Sequence, residues 1–309
     1  MSTREDRKVK LFAPGYYKDF ACIADRCSHS CCIGWEIDID DEAMEKYSRL
    51  SEGYGLKIRK SIEGEDPPHF ALAEGERCPH LDERGLCKII TELGEDHLCA
   101  ICREHPRFYN DTARGMEVGI GLACSEAARL VLSSDRYGDM EPVGESEGES
   151  FFYGFDAASV REELYCILCD RSVPYGERLL EISRRYNVSL KVCTDLEWRE
   201  QLASLEYLDP SHRELFCAYT SELETCKENE EALERALAYF IYRHVSPCTD
   251  EAEVRGAIGF ALLCERLLCS LAEKKGLSLE WAAVTVSEEL EYSEDNTDAI
   301  KFRFMAESL

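Results

Sequence analysis

The sequence predicts a mainly α protein in which a cysteine-rich, metal-organised N-terminal module with little β structure is followed by a helical bundle. Three observations carry that expectation. From about residue 155 onward, apolar residues recur at spacings of three and four through successive segments. Strand-like alternation is confined to two short stretches in the front half. Nine of the seventeen cysteines lie between Cys22 and Cys124. The division drawn from this texture is a cysteine-cluster metal-binding module over 1–137 and a helical domain over 154–309.

Taken in order, the first group is "CIADRCSHSCCIGW", with Cys22, Cys27, Cys31 and Cys32. "WEIDID" alternates, with Trp35, Ile37 and Ile39 on one side and Glu36, Asp38 and Asp40 on the other. "MEVGIGL" alternates similarly before the helix-like "SEAARLVLSS", and the two stretches are expected to pair as a small sheet beside the cysteines. "CPHLDERGLC" contributes Cys78 and Cys87, and "CAIC" contributes Cys99 and Cys102. A Gly- and Glu-rich stretch near residues 138–153 reads as a connector.

Behind it, "DAASVREELYCILCD", "PYGERLLEISRRY", "EEALERALAYFIYRHV" and "RGAIGFALLCERLLCSLAEKK" read as amphipathic helices. In the third, Leu233, Leu237, Phe240, Ile241 and Val245 share one face, and Pro247 stops it. The fourth is apolar almost all round from Ile258 to Leu271, which predicts a central position.

Composition narrows the function. The formal net charge of −26, from 62 acids against 36 bases, opposes binding to a phosphate backbone, so no nucleic-acid partner is expected. It suits a basic substrate such as an exposed lysine. No run of eighteen apolar residues occurs, and "MSTREDRKVK" is too polar for a secretory signal core. A cytoplasmic, non-membrane protein is therefore expected, with thiols reduced unless a metal claims them. Neither GxGxxG nor GxxxxGK[ST] is present, which argues against an ordinary Rossmann methyltransferase.

Thiolates are the preferred ligands of iron-sulfur clusters and of structural zinc, and both need about four of them converging on one point. The candidates are Cys22, Cys27, Cys31, Cys32, Cys78, Cys87, Cys99 and Cys102, enough for two sites. Side chains of the adjacent pair Cys31–Cys32 diverge. That favours either a larger cluster or one ligand beside one spectator. The radical-enzyme spacing CxxxCxxC fails, because Gly34 stands where a third cysteine would follow Cys27 and Cys31. Packing as small apolar residues is the competing reading. It is preferred for Cys166 and Cys169 in "YCILCD", and for Cys193, Cys217, Cys226, Cys248, Cys264 and Cys269. Cys124 is left undecided. His29 and His97 stand among the candidate ligands, although loop positions explain them more simply.

"CIADRCSHSCCIGWEIDID", "CPHLDERGLCKIITELGEDHLCAICREHPR" and "LACSEAARLVL" resemble the signature of the flagellin lysine-N-methylase family, within a wider class of cysteine-cluster proteins held to chelate iron or zinc. "VREELYCILCDRSVPYGERLLEI", "ALAYFIYRHV" and "SEELEYSEDN" extend the likeness along nearly the whole chain. The resemblance implies transfer of a methyl group from S-adenosylmethionine to surface lysines of flagellin, with a 4Fe-4S cluster. It carries the eight cysteines over as ligands, with Arg103, Pro106 and Arg107 as their motif neighbours. Departures are His80 and His105, each where an aromatic is expected, and Tyr292 where a histidine is usual.

A lysine amine, with a pKa near 10.4, must lose its proton before it attacks a sulfonium methyl, so the site must desolvate it or place a base beside it. Glu289, Glu291 and Tyr292 are the catalytic candidates, in competition with a solvated acidic helix face. Arg103 and Arg107 are the candidate cofactor-binding pair, suited to a carboxylate or to offsetting thiolate charge, in competition with surface salt bridges. The alternative function is a non-catalytic zinc- or iron-chelating protein that docks a partner through its helical half.

Overall fold

The structure, a computed structural model, describes residues 8–27, 29–112, 114–147, 154–221 and 229–306. It is mainly α. The chain forms two compact units, one of residues 1–20, 108–123 and 127–309, the other of residues 21–107 and 124–126. These units do not follow the 1–137 and 154–309 division, because segments on either side of the cysteine-rich stretch pack with the helices.

The larger unit holds a four-stranded sheet in the order Arg107–Thr112, Gly115–Ile120, Lys8–Pro14, Met140–Glu147. Lys8–Pro14 runs parallel to Gly115–Ile120 and antiparallel to Met140–Glu147, with a register shift between Leu11 and Phe12. Two expectations are corrected here. "MEVGIGL" does form a strand, but its partner is "KVKLFAP" rather than "WEIDID". The stretch read as a connector is a strand over Met140–Glu147, because ladder hydrogen bonds to Lys8–Pro14 can form whatever the side chains bury. Its last residues, 148–153, lie outside the described residues. Gly119 lets the sheet meet its cover, since a Cβ there would lie 2.3 Å from the Phe108 ring and 2.8 Å from that of Tyr242.

The helices match their periodicity closely. Ala157–Leu168, Tyr175–Arg185, Glu230–Val245 and Glu251–Lys275 are the four read from the sequence. Glu251–Lys275 is the central one, buried continuously from Gly256 to Leu271. It starts where Asp250 accepts a hydrogen bond from Glu253 N at 2.8 Å and ends at Gly276 in the left-handed conformation. Leu279–Val286 and Glu294–Ala306 follow, separated by one π-helical turn, Ser287–Glu291. No described helix is long and apolar enough to cross a membrane.

Cys193, Cys248, Cys264 and Cys269 are buried, as expected of core thiols. Cys166, Cys169 and Cys217 are exposed, which corrects the core reading for those three. In Ala157–Leu168 the buried positions are Ala157, Ala158, Arg161, Leu164, Tyr165 and Leu168, so Cys166 falls on the opposite face, while Cys169 stands just past the helix end with its sulfur 3.0 Å from Tyr137 OH. Cys226 lies outside the described residues.

The smaller unit is built from short elements: helices Asp41–Arg49, Gly55–Lys60, Lys88–Leu93 and Ala100–Glu104, and the strand pair Ile62–Glu63 with His69–Phe70. "WEIDID" is extended without being a ladder strand: Ile39 N donates to Pro68 O at 2.8 Å and Phe70 N to Ile37 O at 3.1 Å. Its alternation nevertheless holds, with Ile37 and Ile39 buried and Glu36 and Asp38 exposed. Ile37, Ile39, Ala43, Tyr47, Ile58, Phe70 and Ile89 form one apolar core, and buried Cys78 and Cys99 belong to it.

Candidate functional site

Local hydrogen bonds bring the thiols of the smaller unit together. In "CPHLDERGLC" the Asp82 carboxylate accepts from Arg84 N (2.8 Å) and Leu86 N (2.9 Å), and Gly85 takes a positive φ. This Asx turn folds the segment back on itself, so that Leu81 bridges to Cys87 and the two cysteines at its ends become neighbours. Cys78 N then donates to Cys32 O at 2.8 Å, tying the first cysteine group to the second.

The third group is held by the helix Asp41–Arg49. Asp40 caps that helix through Ala43 N and also accepts from Ala100 N at 2.6 Å, at the first residue of the helix that carries Cys102. Lys46 Nζ donates to Asp96 O (3.0 Å) and Tyr47 OH to His97 O (2.6 Å). Cys32, Cys87 and Cys102 accordingly pack, half-buried, against the core that contains Cys78 and Cys99.

Crowding shows in the acidities. Burial pushes Cys78 up to about 12, and the neighbouring sulfurs of Cys32, Cys87 and Cys99 add to it. Burial likewise raises Cys87. Two thiol pairs share protons: Cys31 donates to Cys32, which falls to about 7, so the adjacent side chains meet instead of diverging as expected, and Cys102 donates to Cys99, which is lowered while Cys102 is raised. Among the described residues, no three His, Cys, Asp or Glu side chains stand close enough to hold a metal ion as placed. The donor set itself is that of a thiophilic metal. Five sulfurs in one small core repel one another as thiolates, and a cation among them would remove that repulsion. His97 Nδ1 is also buried without a hydrogen-bond partner, two residues before Cys99.

The remaining candidates of this unit differ. Cys27 donates to His29 O (2.7 Å), so the hydroxyl of Ser125, 3.1 Å away, donates to its sulfur. Cys22 and Cys31 are exposed. Arg103 pairs loosely with Glu104 (3.5 Å), and Arg107 donates to Arg103 O (3.4 Å). His80 is not ligand-like. Ser61 Oγ gives its proton to Ile58 O and therefore accepts from His80 Nε2, while Tyr54 OH donates to Nδ1, both at 2.9 Å. With Phe70 edge-on at 4.7 Å, this neutral imidazole fills an aromatic's place.

In the larger unit, the segment read as a catalytic or solvated acidic face is buried: Glu288, Glu289 and Glu291 are at most 8% exposed. That corrects the solvated-face reading, because a π-helical turn rotates these carboxylates inward. Glu289 accepts from Leu208 N (2.8 Å), Asp209 N (3.1 Å) and His212 Nδ1 (2.6 Å). Glu291 accepts from Ser287 Oγ (2.6 Å), Tyr239 OH (3.0 Å) and His244 Nε2 (2.8 Å), with Arg243 Nε at 3.4 Å. Burial opposes its charge, but the Arg243 guanidinium and these donors outweigh that and hold it below the usual range. Tyr292 is 37% exposed, with Arg243 5.4 Å from its ring centre. The sequence signalled this network only through its histidine and arginine, His244 and Arg243, adjacent on one helix.

No family model and no solved structure matches the chain. Curated relatives do. The flagellar biosynthetic protein FliU of Salmonella muenchen is 27% identical over 155 residues, covering 47% of this chain and 87% of that protein. The lysine-N-methylases of Salmonella choleraesuis (strain SC-B67) and Salmonella typhimurium are each 26% identical over 137 residues, covering 41% of this chain. The match spans 33% of each lysine-N-methylase's own length. By this similarity, the chain resembles the lysine-N-methylases and FliU over less than half of its own length.

Proposed function

We propose that this protein is a protein-lysine N-methyltransferase that moves a methyl group from S-adenosylmethionine to lysines of flagellin, or of another lysine-bearing protein, and depends on an iron-sulfur cluster bound by its cysteines. The observation that carries the metal half is the packing of Cys32, Cys78, Cys87, Cys99 and Cys102 around one small core. The names of the two lysine-N-methylases support the methyl-transfer half, and that of FliU supports the flagellar one. Cys78, Cys87, Cys99 and Cys102 would hold the 4Fe-4S cluster, which supplies a one-electron couple when bound. Cys22, Cys27, Cys31 and Cys32 are the further ligands of the proposal. Arg103 and Arg107 offer guanidinium groups for a carboxylate such as that of S-adenosylmethionine.

In the transfer, the neutral lysine nitrogen forms the new N–C bond as the sulfonium C–S bond breaks, and the amine proton passes to a base. Tyr292, as the phenolate beside the Arg243 guanidinium, is assigned as that base, being the exposed member of its segment. Glu291 and Glu289 are positioning residues: Glu291 holds Arg243 beside Tyr292, and Glu289 holds the 208–212 loop. A π turn at this point agrees with the frequency of such turns at functional sites.

One observation favours the non-catalytic zinc- or iron-chelating reading: both carboxylates of the segment are already engaged by structural donors. Incubation of the metal-loaded protein with methyl-labelled S-adenosylmethionine and flagellin separates the two. Label on lysine side chains, lost in Tyr292→Phe with metal content unchanged, supports the enzyme. Bound metal without label transfer supports the chelator.

A further inference from the structure

We propose that His212, Asp209 and Trp281 form a recognition site for a primary ammonium group, the side chain of a lysine on a protein partner. The inference goes beyond the reading above, because the site would hold an amine whether or not a methyl group is transferred.

Glu289 fixes the imidazole. Its carboxylate, buried in the π turn Ser287–Glu291, accepts from the backbone N–H groups of Leu208 and Asp209 and from His212 Nδ1 at 2.6 Å. The ring proton therefore sits on Nδ1, and in the neutral ring Nε2 carries the lone pair. Among the described residues Nε2 has no hydrogen-bond partner, and it is not sealed from solvent. Asp209 Oδ2 stands 3.8 Å from it, on a side chain that is 55% exposed. Two acceptors at that separation are bridged by one ammonium, which reaches each at an ordinary hydrogen-bond length of about 2.9 Å. Asp209 is held in place by Ser211 N, which donates to its other oxygen at 2.8 Å.

The third wall is aromatic. Trp281, 40% exposed on the helix Leu279–Val286, stands edge-to-face against the His212 ring with centroids 5.7 Å apart. Indole is the best of the side-chain π faces for a cation. Arg213, the next residue after His212, lies over the Tyr207 ring instead (5.4 Å to its centre), so its charge is taken up elsewhere. The carboxylate, the lone pair and the indole face all call for a cationic donor. One imidazole and one carboxylate do not make a metal site, since no trio of His, Cys, Asp or Glu stands together among the described residues. A lysine ammonium brings three N–H donors on an apolar stem that can cover the indole, and the chain's net charge of −26 attracts such a partner. Burial opposes a charge on His212, but the hydrogen bond and the charge of Glu289 outweigh it and, with Asp209 and Glu288 adding, raise its pKa. Binding of an ammonium must therefore expel a proton from Nε2 wherever the ring is charged, and affinity rises with pH until the ring is neutral.

The test is an NMR titration of the full-length protein with Nα-acetyl-lysine methylamide, read at the Trp281 indole and His212 ring signals, with the norleucine analogue as the uncharged control. The lysine probe should shift both signals saturably, and the norleucine probe neither. Affinity for the lysine probe should increase between about pH 6 and pH 9, a range in which its amine, with a pKa near 10.4, stays charged while His212 loses its proton. Asp209→Asn keeps the oxygen that accepts from Ser211 N. It should weaken binding about three- to fivefold, the span of an exposed ion pair. Equal shifts with norleucine would reduce the site to an apolar patch and overturn the proposal. So would an unmoved Trp281 signal, an affinity indifferent to pH, or an affinity unchanged in Asp209→Asn. The comparison of the two probes is made on the wild type, so misfolding of the variant leaves the test intact. Failure here leaves methyl transfer, assayed with labelled S-adenosylmethionine, untouched.

Discussion

Asp40 Oδ2 accepts a 2.6 Å hydrogen bond from the backbone N–H of Ala100, so one carboxylate joins the start of the helix Asp41–Arg49 to the start of the helix that carries Cys102. Burial disfavours its charge, but the hydrogen bonds from Ala100 and Ala43 outweigh that and hold its pKa below the usual carboxylate value. Asp40→Ala should cost about 1–2 kcal/mol for the cap alone and should reduce metal loading, because Cys99 and Cys102 lose their tether. Asp40→Asn should keep most of the cap. Urea unfolding monitored alongside metal content checks this; equal loading in Asp40→Ala and wild type would contradict it.

Acid should weaken the fold before the carboxylates titrate. Burial lowers His80, His105 and His244 to about 4 from an ordinary value of 6.5, with His29 adding to the effect at His105. Each stays neutral in the folded chain while its unfolded counterpart takes up a proton, so stability declines as pH falls from about 6.5 to about 4. For fully buried His244 the slope is on the order of 1.4 kcal/mol per pH unit. Denaturation midpoints measured at pH 7.5 and 5.0 should differ accordingly. His80→Phe, which keeps the ring against Phe70, should flatten part of that difference.

Glu291 is buried, is the counter-charge of the largely covered Arg243, 15% exposed, and accepts three further donors. Glu291→Ala should destabilise by about 3 kcal/mol, because it removes the carboxylate that pairs with the largely covered Arg243 guanidinium and leaves His244 without its acceptor. Glu291→Gln should cost less, since an amide oxygen still accepts from Ser287 or Tyr239. A Glu291→Ala protein with a wild-type unfolding midpoint would show that the carboxylate is not structural.

Thiol reactivity reads the fold residue by residue. A brief exposure of folded protein to iodoacetamide should label Cys166, Cys169 and Cys217 and spare Cys193, Cys264 and Cys269 until the chain unfolds. Cys169, whose sulfur lies 3.0 Å from Tyr137 OH, should react more slowly than Cys166. Peptide mass spectrometry gives the order directly, and early labelling of Cys264 would contradict the buried helix.

Much of this was legible from periodicity. Glu230–Val245 and Glu251–Lys275 were predicted because their apolar residues repeat with the helix, and burial follows that pattern. The sheet was largely missed, since "KVKLFAP" and Met140–Glu147 are short, part-polar segments whose pairing depends on partners more than a hundred residues apart. Cys166 and Cys169 were misread because cysteine is apolar enough to suit either face, and their neighbours Leu164, Tyr165 and Leu168 decide the issue. Glu289 and Glu291 carry the same lesson in reverse. An acidic run reads as solvated unless the π turn and the donors on other helices are known.

The central claim is that the front cysteines hold an iron-sulfur cluster, and elemental and acid-labile sulfide analysis of protein purified without oxygen tests it most directly. The account predicts iron and sulfide in equal amounts, about four of each for every 4Fe-4S centre, with broad visible absorption that oxygen bleaches. Zinc without sulfide, or no metal at all, would contradict it.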